Sequence, residues 1–150
     1  TYWGTHLGAE WMYGNWKFKH ALDFIYGIWQ NQQTYPTQIP PLRWENQISY
    51  TWRLWSFQLL GTYTHKQFLY SQTLDLAPPP PSYFLFHGRI NYQPKYAKEL
   101  SINLAIDNLF NTEYRDYLDR FRYFTPQAGR NIRIHLRYNL HHHRKYKHFK

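Results

Sequence analysis

Two clean alternations that bracket one long segment constrain this chain more than any other feature. The first sets Leu100, Ile102, Leu104 and Ile106 against Ser101, Asn103, Ala105 and Asp107. The second sets Ile132, Ile134, Leu136, Tyr138 and Leu140 against Asn131, Arg133, His135, Arg137 and Asn139. Side chains alternate across a strand, so a period of two predicts strands with one apolar and one polar face. A soluble sheet buries the apolar face and wets the other. A transmembrane barrel turns the apolar face to lipid and the polar face to a wet lumen. The alternation by itself leaves both arrangements open.

The same period runs through the rest of the chain. It predicts strands over Thr5–Tyr13, Trp16–Trp29, Arg43–Trp52, Trp55–His65 and Tyr83–Gln93, ahead of the two above. The fold class is therefore all-β, an antiparallel meander of about seven strands. Gly14-Asn15 reads as a two-residue hairpin turn, which fixes the register from there. Tyr13 then faces Trp16, Trp11 faces Phe18, and Leu7 faces Leu22. On the polar face Met12 meets Lys17, Glu10 meets Lys19, and His6 meets Asp23. Short turns are expected near 53–54 and 94–99. Long loops are expected over 31–42, 66–82 and 111–128. The second of these ends in Pro78-Pro79-Pro80-Pro81, which no strand ladder can cross because proline lacks an N–H. Regular alternation of short and long connections is the pattern of an outer-membrane barrel.

Composition narrows the classes. Aromatic residues make up 21% of the chain, with 15 Tyr and 7 Trp, which suits strands with interfacial girdles. No apolar run approaches the ~20 residues of a membrane helix. A mean hydropathy of -0.77 excludes a helical membrane protein but not a barrel, half of whose strand residues face water. The net charge of +9 comes from alternate strand positions and from the end of the chain. A nucleic-acid surface would gather it on one exposed patch with strong salt dependence. No nucleic-acid motif is present, and no catalytic or phosphate-binding arrangement stands out, so neither enzymatic chemistry nor a cofactor is expected. With no cysteine there is no disulfide. The chain opens on Thr1 close to a strand, and it reads as a fragment.

Asp107-Asn108-Leu109-Phe110-Asn111-Thr112-Glu113-Tyr114, followed by Gly129-Arg130-Asn131-Ile132, resembles the end of a TonB-dependent outer-membrane receptor. Gln38-Ile39-Pro40-Pro41-Leu42-Arg43 resembles a second landmark of that family, the entry to a strand several hairpins earlier. The resemblance covers roughly Thr5 to Leu140. It implies that residues 1–140 are a C-terminal segment of a larger, 22-stranded barrel. It also implies energy-coupled uptake of a scarce nutrient across the bacterial outer membrane, such as an iron–siderophore complex or another metal chelate. The implied partners are outer-membrane lipid, the barrel-assembly machinery, and TonB acting through a plug domain that this chain does not contain. In that family the last strand ends in an aromatic residue. Here Leu140 stands in that place, and a basic, His-rich tail (141–150) follows.

Site expectations follow from this frame. Glu10, Lys19, Asp23, Arg89, Asp107, Arg133, His135 and Arg137 should face the lumen, with Asp107 near Arg133. Tyr114, Arg115, Tyr117, Arg120 and Arg122 sit in an outer loop. There they offer stacking and charge-assisted hydrogen bonds to an anionic substrate. The competing reading is a self-packed loop that caps the barrel mouth. His141, His142 and His143 are the one candidate metal group, against a solvated basic tail. The functional alternative is a soluble or designed β-barrel that binds a small ligand, with a basic nucleic-acid-binding β protein third. The side on which Lys19, Arg89, Arg133 and Arg137 lie separates these readings.

Overall fold

The computed structural model describes residues 1–29 and 34–140. Seven strands form one sheet: β1 (Tyr2–Tyr13), β2 (Trp16–Gly27), β3 (Arg43–Trp52), β4 (Trp55–Thr64), β5 (Tyr83–Tyr92), β6 (Leu100–Asp107) and β7 (Asn131–Tyr138). Strand order follows chain order, and every neighbouring pair is antiparallel. The connections alternate in length as expected: 14–15, 53–54 and 93–99 at one end, and 28–42, 65–82 and 108–130 at the other.

The first hairpin has the register its turn dictates. Glu10 lies opposite Lys19, Trp11 opposite Phe18, and His6 opposite Asp23. Gly14 adopts a φ of +56° in the turn. Glycine carries no Cβ to oppose that conformation. The tip between β3 and β4 uses Arg53 at φ 52° instead, with its guanidinium 5.5 Å over the Trp52 ring.

Several boundaries differ from the sequence pattern. β1 begins at Tyr2 because its ladder with β2 continues as far as Tyr2 opposite Gly27. β2 ends at Gly27 and not at Trp29, which instead bridges to Thr34 within the following loop. β7 stops at Tyr138, where pairing with Leu100 ends. Arg133 lies opposite Ala105, while Asp107 lies opposite Asn131. Arg133 reaches Asp107 diagonally on the same face and forms a salt bridge with it.

Burial is inverted relative to a soluble domain. The large apolar residues of the apolar stripe are open: Leu7, Trp11, Trp44, Ile48, Leu59, Phe84 and Ile134 are all exposed. The buried apolar residues are Ile39, Leu69, Leu85, Ala105 and Tyr117. Ile39, Leu69 and Tyr117 belong to loops, and Leu85 and Ala105 lie on the polar face. The protein's core thus sits between the long loops and the polar face. The apolar face is left for a medium that water does not supply.

Candidate functional site

The three long loops are tied to one another. Gln67, almost fully buried, donates to the Ile39 carbonyl at 2.7 Å and accepts from the Leu69 N–H at 2.9 Å. Thr34 Oγ1 donates to Ser71 Oγ at 3.0 Å. Tyr83, at the start of β5, donates to the Asp116 carboxylate at 3.2 Å. Asp116 and Leu118 then lie with Pro40 and Pro41 over Asp23, Arg43 and Thr64 of the polar face, enclosing a cavity of about 270 Å³.

Between loops 65–82 and 108–130 lies a polar cluster around Asp75. Its side chain and that of Arg122 are each only 4% exposed, and they form a salt bridge at 2.9 Å. Tyr117 Oη donates to the other Asp75 oxygen at 2.6 Å, and Tyr123 Oη donates at 3.2 Å. The Arg122 guanidinium is 4.5 Å from the centres of both the Tyr117 and Tyr123 rings. Arg122 Nη1 also reaches the Pro78 carbonyl at 3.4 Å, and Arg115 donates to the Arg122 carbonyl. Two charges removed from water are tolerable when each remaining hydrogen-bonding position is filled. Here the carboxylate receives donors from two tyrosines and the guanidinium, and the guanidinium is held between two aromatic faces.

Burial raises the Tyr117 phenol above its ordinary value, and the hydrogen bond to the Asp75 carboxylate raises it further. Ionising it would set two negative charges side by side. The neutral phenol is therefore favoured in the folded loops, and its contribution is complete below the unfolded value near 10. As pH rises above about 10 the unfolded loops release this proton first, so loop stability falls. Hydrogen exchange of loops 65–82 and 108–130 followed from pH 8 to 11, after correction for the intrinsic rate, should show this loss. Tyr117→Phe should flatten it.

The segment that ends β6 is locked to the one that begins β7. Asn108 and Asn111 sit at φ 51° and 55°, a region that asparagine tolerates better than most residues. The Asn108 side chain bonds the Thr112 backbone twice, Oδ1 accepting from N–H and Nδ2 donating to C=O, each at 2.8 Å. Asn111 Oδ1 accepts from the Arg130 N–H at 2.8 Å. A Cβ on Gly129 would fall 2.5 Å from that same oxygen. Phe110 packs edge-on against Phe86 at 5.3 Å. These contacts give the Asn-Leu-Phe-Asn and Gly-Arg-Asn stretches a physical reason to occur together. Gly129→Ala is expected to cost about 1–3 kcal/mol through this overlap. A urea titration of the lipid-embedded protein, with Ala128→Gly as control, would measure it.

The residues predicted to line the loop surface divide into two groups. Tyr117 and Arg122 are turned into the cluster just described. Tyr114 is half-buried against Tyr83, with ring centres 4.7 Å apart, and burial raises its phenol. Arg115 borders a cavity of about 230 Å³ with Pro78, Pro80 and Tyr123. Arg120 is exposed at the start of a short 3-10 turn (Arg120–Tyr123) capped by Asp119. The loop is thus self-packed on one side and open on the other.

All eight residues expected at the lumen share one face by register. Glu10 bridges Lys17 at 2.6 Å and Lys19 at 3.0 Å. Asp23 bonds His6 and lies opposite Arg43. Arg89 and Arg133 both lie opposite Ala105, His135 opposite Asn103, and Arg137 opposite Ser101. Asp107 takes Arg133 and lies 3.3 Å from His87. The face is charged, and basic on β5 to β7. Among the described residues no group of three His, Cys, Asp or Glu side chains could hold a metal ion. His141–His143 and the rest of the tail lie outside the described residues. Asp75 carries no periodic signal. Its one mark in the sequence is that it is the only acid in loop 65–82.

Among solved structures the chain is similar to the copper transporter OprC, with a TM-score of 0.82 at 20% identity over 91% of the chain. The fold is that of a wall segment of a large antiparallel β-barrel, as in that transporter. The FrpB iron transporter from Neisseria meningitidis (F3-3 variant) gives a TM-score of 0.71 at 19% identity over 90% of the chain. The apoprotein form of its F5-1 variant gives 0.69 at 19% identity. The chain spans 23% of OprC and 22% of the F3-3 FrpB, so it corresponds to part of a barrel wall. No family model and no curated protein matches the chain.

Proposed function

We propose that this chain is part of the barrel of an outer-membrane receptor that imports a scarce nutrient under TonB control. An iron–siderophore complex or another metal chelate is the favoured cargo. The observation that carries the reading is the sheet's two-sidedness. Its apolar face carries exposed large side chains on six of the seven strands, and the long loops are folded over the charged face. A soluble barrel with an apolar interior needs the opposite arrangement. The copper and iron transporters with this fold support a metal-containing cargo. Arg115, Arg120 and Tyr114 are the loop residues left available to an anionic chelate, by stacking and charge-assisted hydrogen bonds. Transport here is binding and gated passage, with no bond made or broken, and energy would enter through a plug domain in contact with TonB.

The test uses the whole receptor that contains this segment. Cells lacking it should lose growth on one limiting metal chelate, and loss of TonB should produce the same defect. Arg115→Ala with Arg120→Ala should weaken binding of that chelate by the purified receptor while the barrel stays folded. Uptake that persists without TonB would overturn the reading.

A further inference from the structure

One row on the outward face breaks the apolar pattern. The register sets Ala9, His20, Asn46 and Gly61 side by side across β1 to β4. On that face His20 stands between Phe18 and Leu22, and Asn46 between Trp44 and Ile48. Both therefore lie inside the band that the proposed function assigns to lipid, and the inference rests on that orientation. His20 Nδ1 is bonded to Asn46 Oδ1, and the imidazole stacks on Trp11 with ring centres 4.7 Å apart. A carbonyl oxygen only accepts, so Nδ1 carries the proton. In the neutral ring Nε2 is then a bare acceptor. The Asn46 amide nitrogen keeps its donors. No described residue offers either group a hydrogen bond. Polar groups left unpaired against hydrocarbon are costly, and ordinary acyl chains cannot pair them.

The two groups are complementary to a copy of themselves. We propose that this row is the contact between two copies of the barrel, related by a two-fold axis. Asn46 Nδ2 of each copy donates to His20 Nε2 of the other. An isologous interface requires this reciprocity, residue i meeting j while j meets i. The flank at Ala9 fits close approach. Ala9 is small, and small residues let membrane-embedded backbones come together; the Phe86 ring lies over Gly61. Asn46 and Gly61 line a recess of about 160 Å³ with Trp44, Phe84 and Phe86 at its sides.

The described segment contains no cysteine, so one can be introduced as a reporter in the whole receptor with any other cysteines removed. The two-fold sets Ala9 of the two copies three strand spacings apart, roughly 14 Å, so Ala9→Cys should give a crosslinked species of twice the receptor mass in native outer membranes with a lipid-soluble bis-maleimide of that reach. Adding His20→Leu and Asn46→Leu should reduce that species at least tenfold, while the receptor keeps its unfolding temperature and its cargo binding. Mass photometry in nanodiscs should shift from dimer to monomer in parallel. A monomer in both assays overturns the proposal, as does a crosslink to a different protein, or one that the leucine pair leaves unchanged. Leu104→Cys separates the two readings. Labelling by a lipid-soluble maleimide but not by a charged one upholds the outward face whatever the dimer result. The reverse labelling pattern removes the basis of both.

Discussion

Arg122→Ala is expected to open two loops at once. The substitution leaves the Asp75 carboxylate buried with two phenol donors and no counter-charge. It also removes the guanidinium from between the Tyr117 and Tyr123 rings. Removing one member of a buried ion pair costs about 3–5 kcal/mol, because the partner charge stays behind. That loss belongs to the loops and not to the sheet, since none of the cluster residues lies in a strand. Amide exchange in segments 65–82 and 108–130 should therefore speed up by roughly 10²–10³-fold. Exchange in the ladder of β3 to β5 should hold. Asp75→Leu with Arg122→Met replaces both charges by apolar groups and should recover much of the loss. Exchange that rises in only one of the two loops would show that they are not joined through this cluster.

The sheet was legible in the sequence because its physics is local. A period of two, a Gly-Asn turn and the hairpin constraint suffice to place Glu10 against Lys19. Register then passes from strand to strand, and the eight charged positions fall on one face. Strand ends were less legible. The alternation of β2 runs on to Ile28, but the ladder ends at Gly27 and Trp29 turns to a bridge with Thr34, a pairing set by the loop's own fold. The loop cluster was the least legible part. Tyr117 and Arg122 read equally well as ligand-facing or self-packed, and Asp75, which decides between the two, lies more than forty residues away in sequence. Contacts of that separation leave no periodic trace. His20 and Asn46 interrupt an apolar stripe, and only the β2–β3 register brings them together.

Leu104→Arg is expected to cost about 2–4 kcal/mol in a bilayer, the penalty for a basic side chain on the lipid face of a barrel near the membrane midplane. Leu104 lies midway along β6, opposite Ile90 on one side and Ile134 on the other. Both neighbours are apolar, so the guanidinium would find no acceptor along its row and could escape only by reaching along the strand toward an interface. Ile134→Arg on β7 should behave alike, because Ile134 occupies the same row. Asn103→Arg provides the internal comparison. Asn103 is one residue away at nearly the same depth, but it shares the polar face with Asn91 and His135. A guanidinium there stays wet, and the change in stability should remain below about 1 kcal/mol. The expected result is thus a large difference between adjacent positions, measured by reversible urea unfolding in lipid vesicles. Equal costs at 103 and 104 would mean that the two faces see the same medium, which would remove the membrane from this account of the sheet.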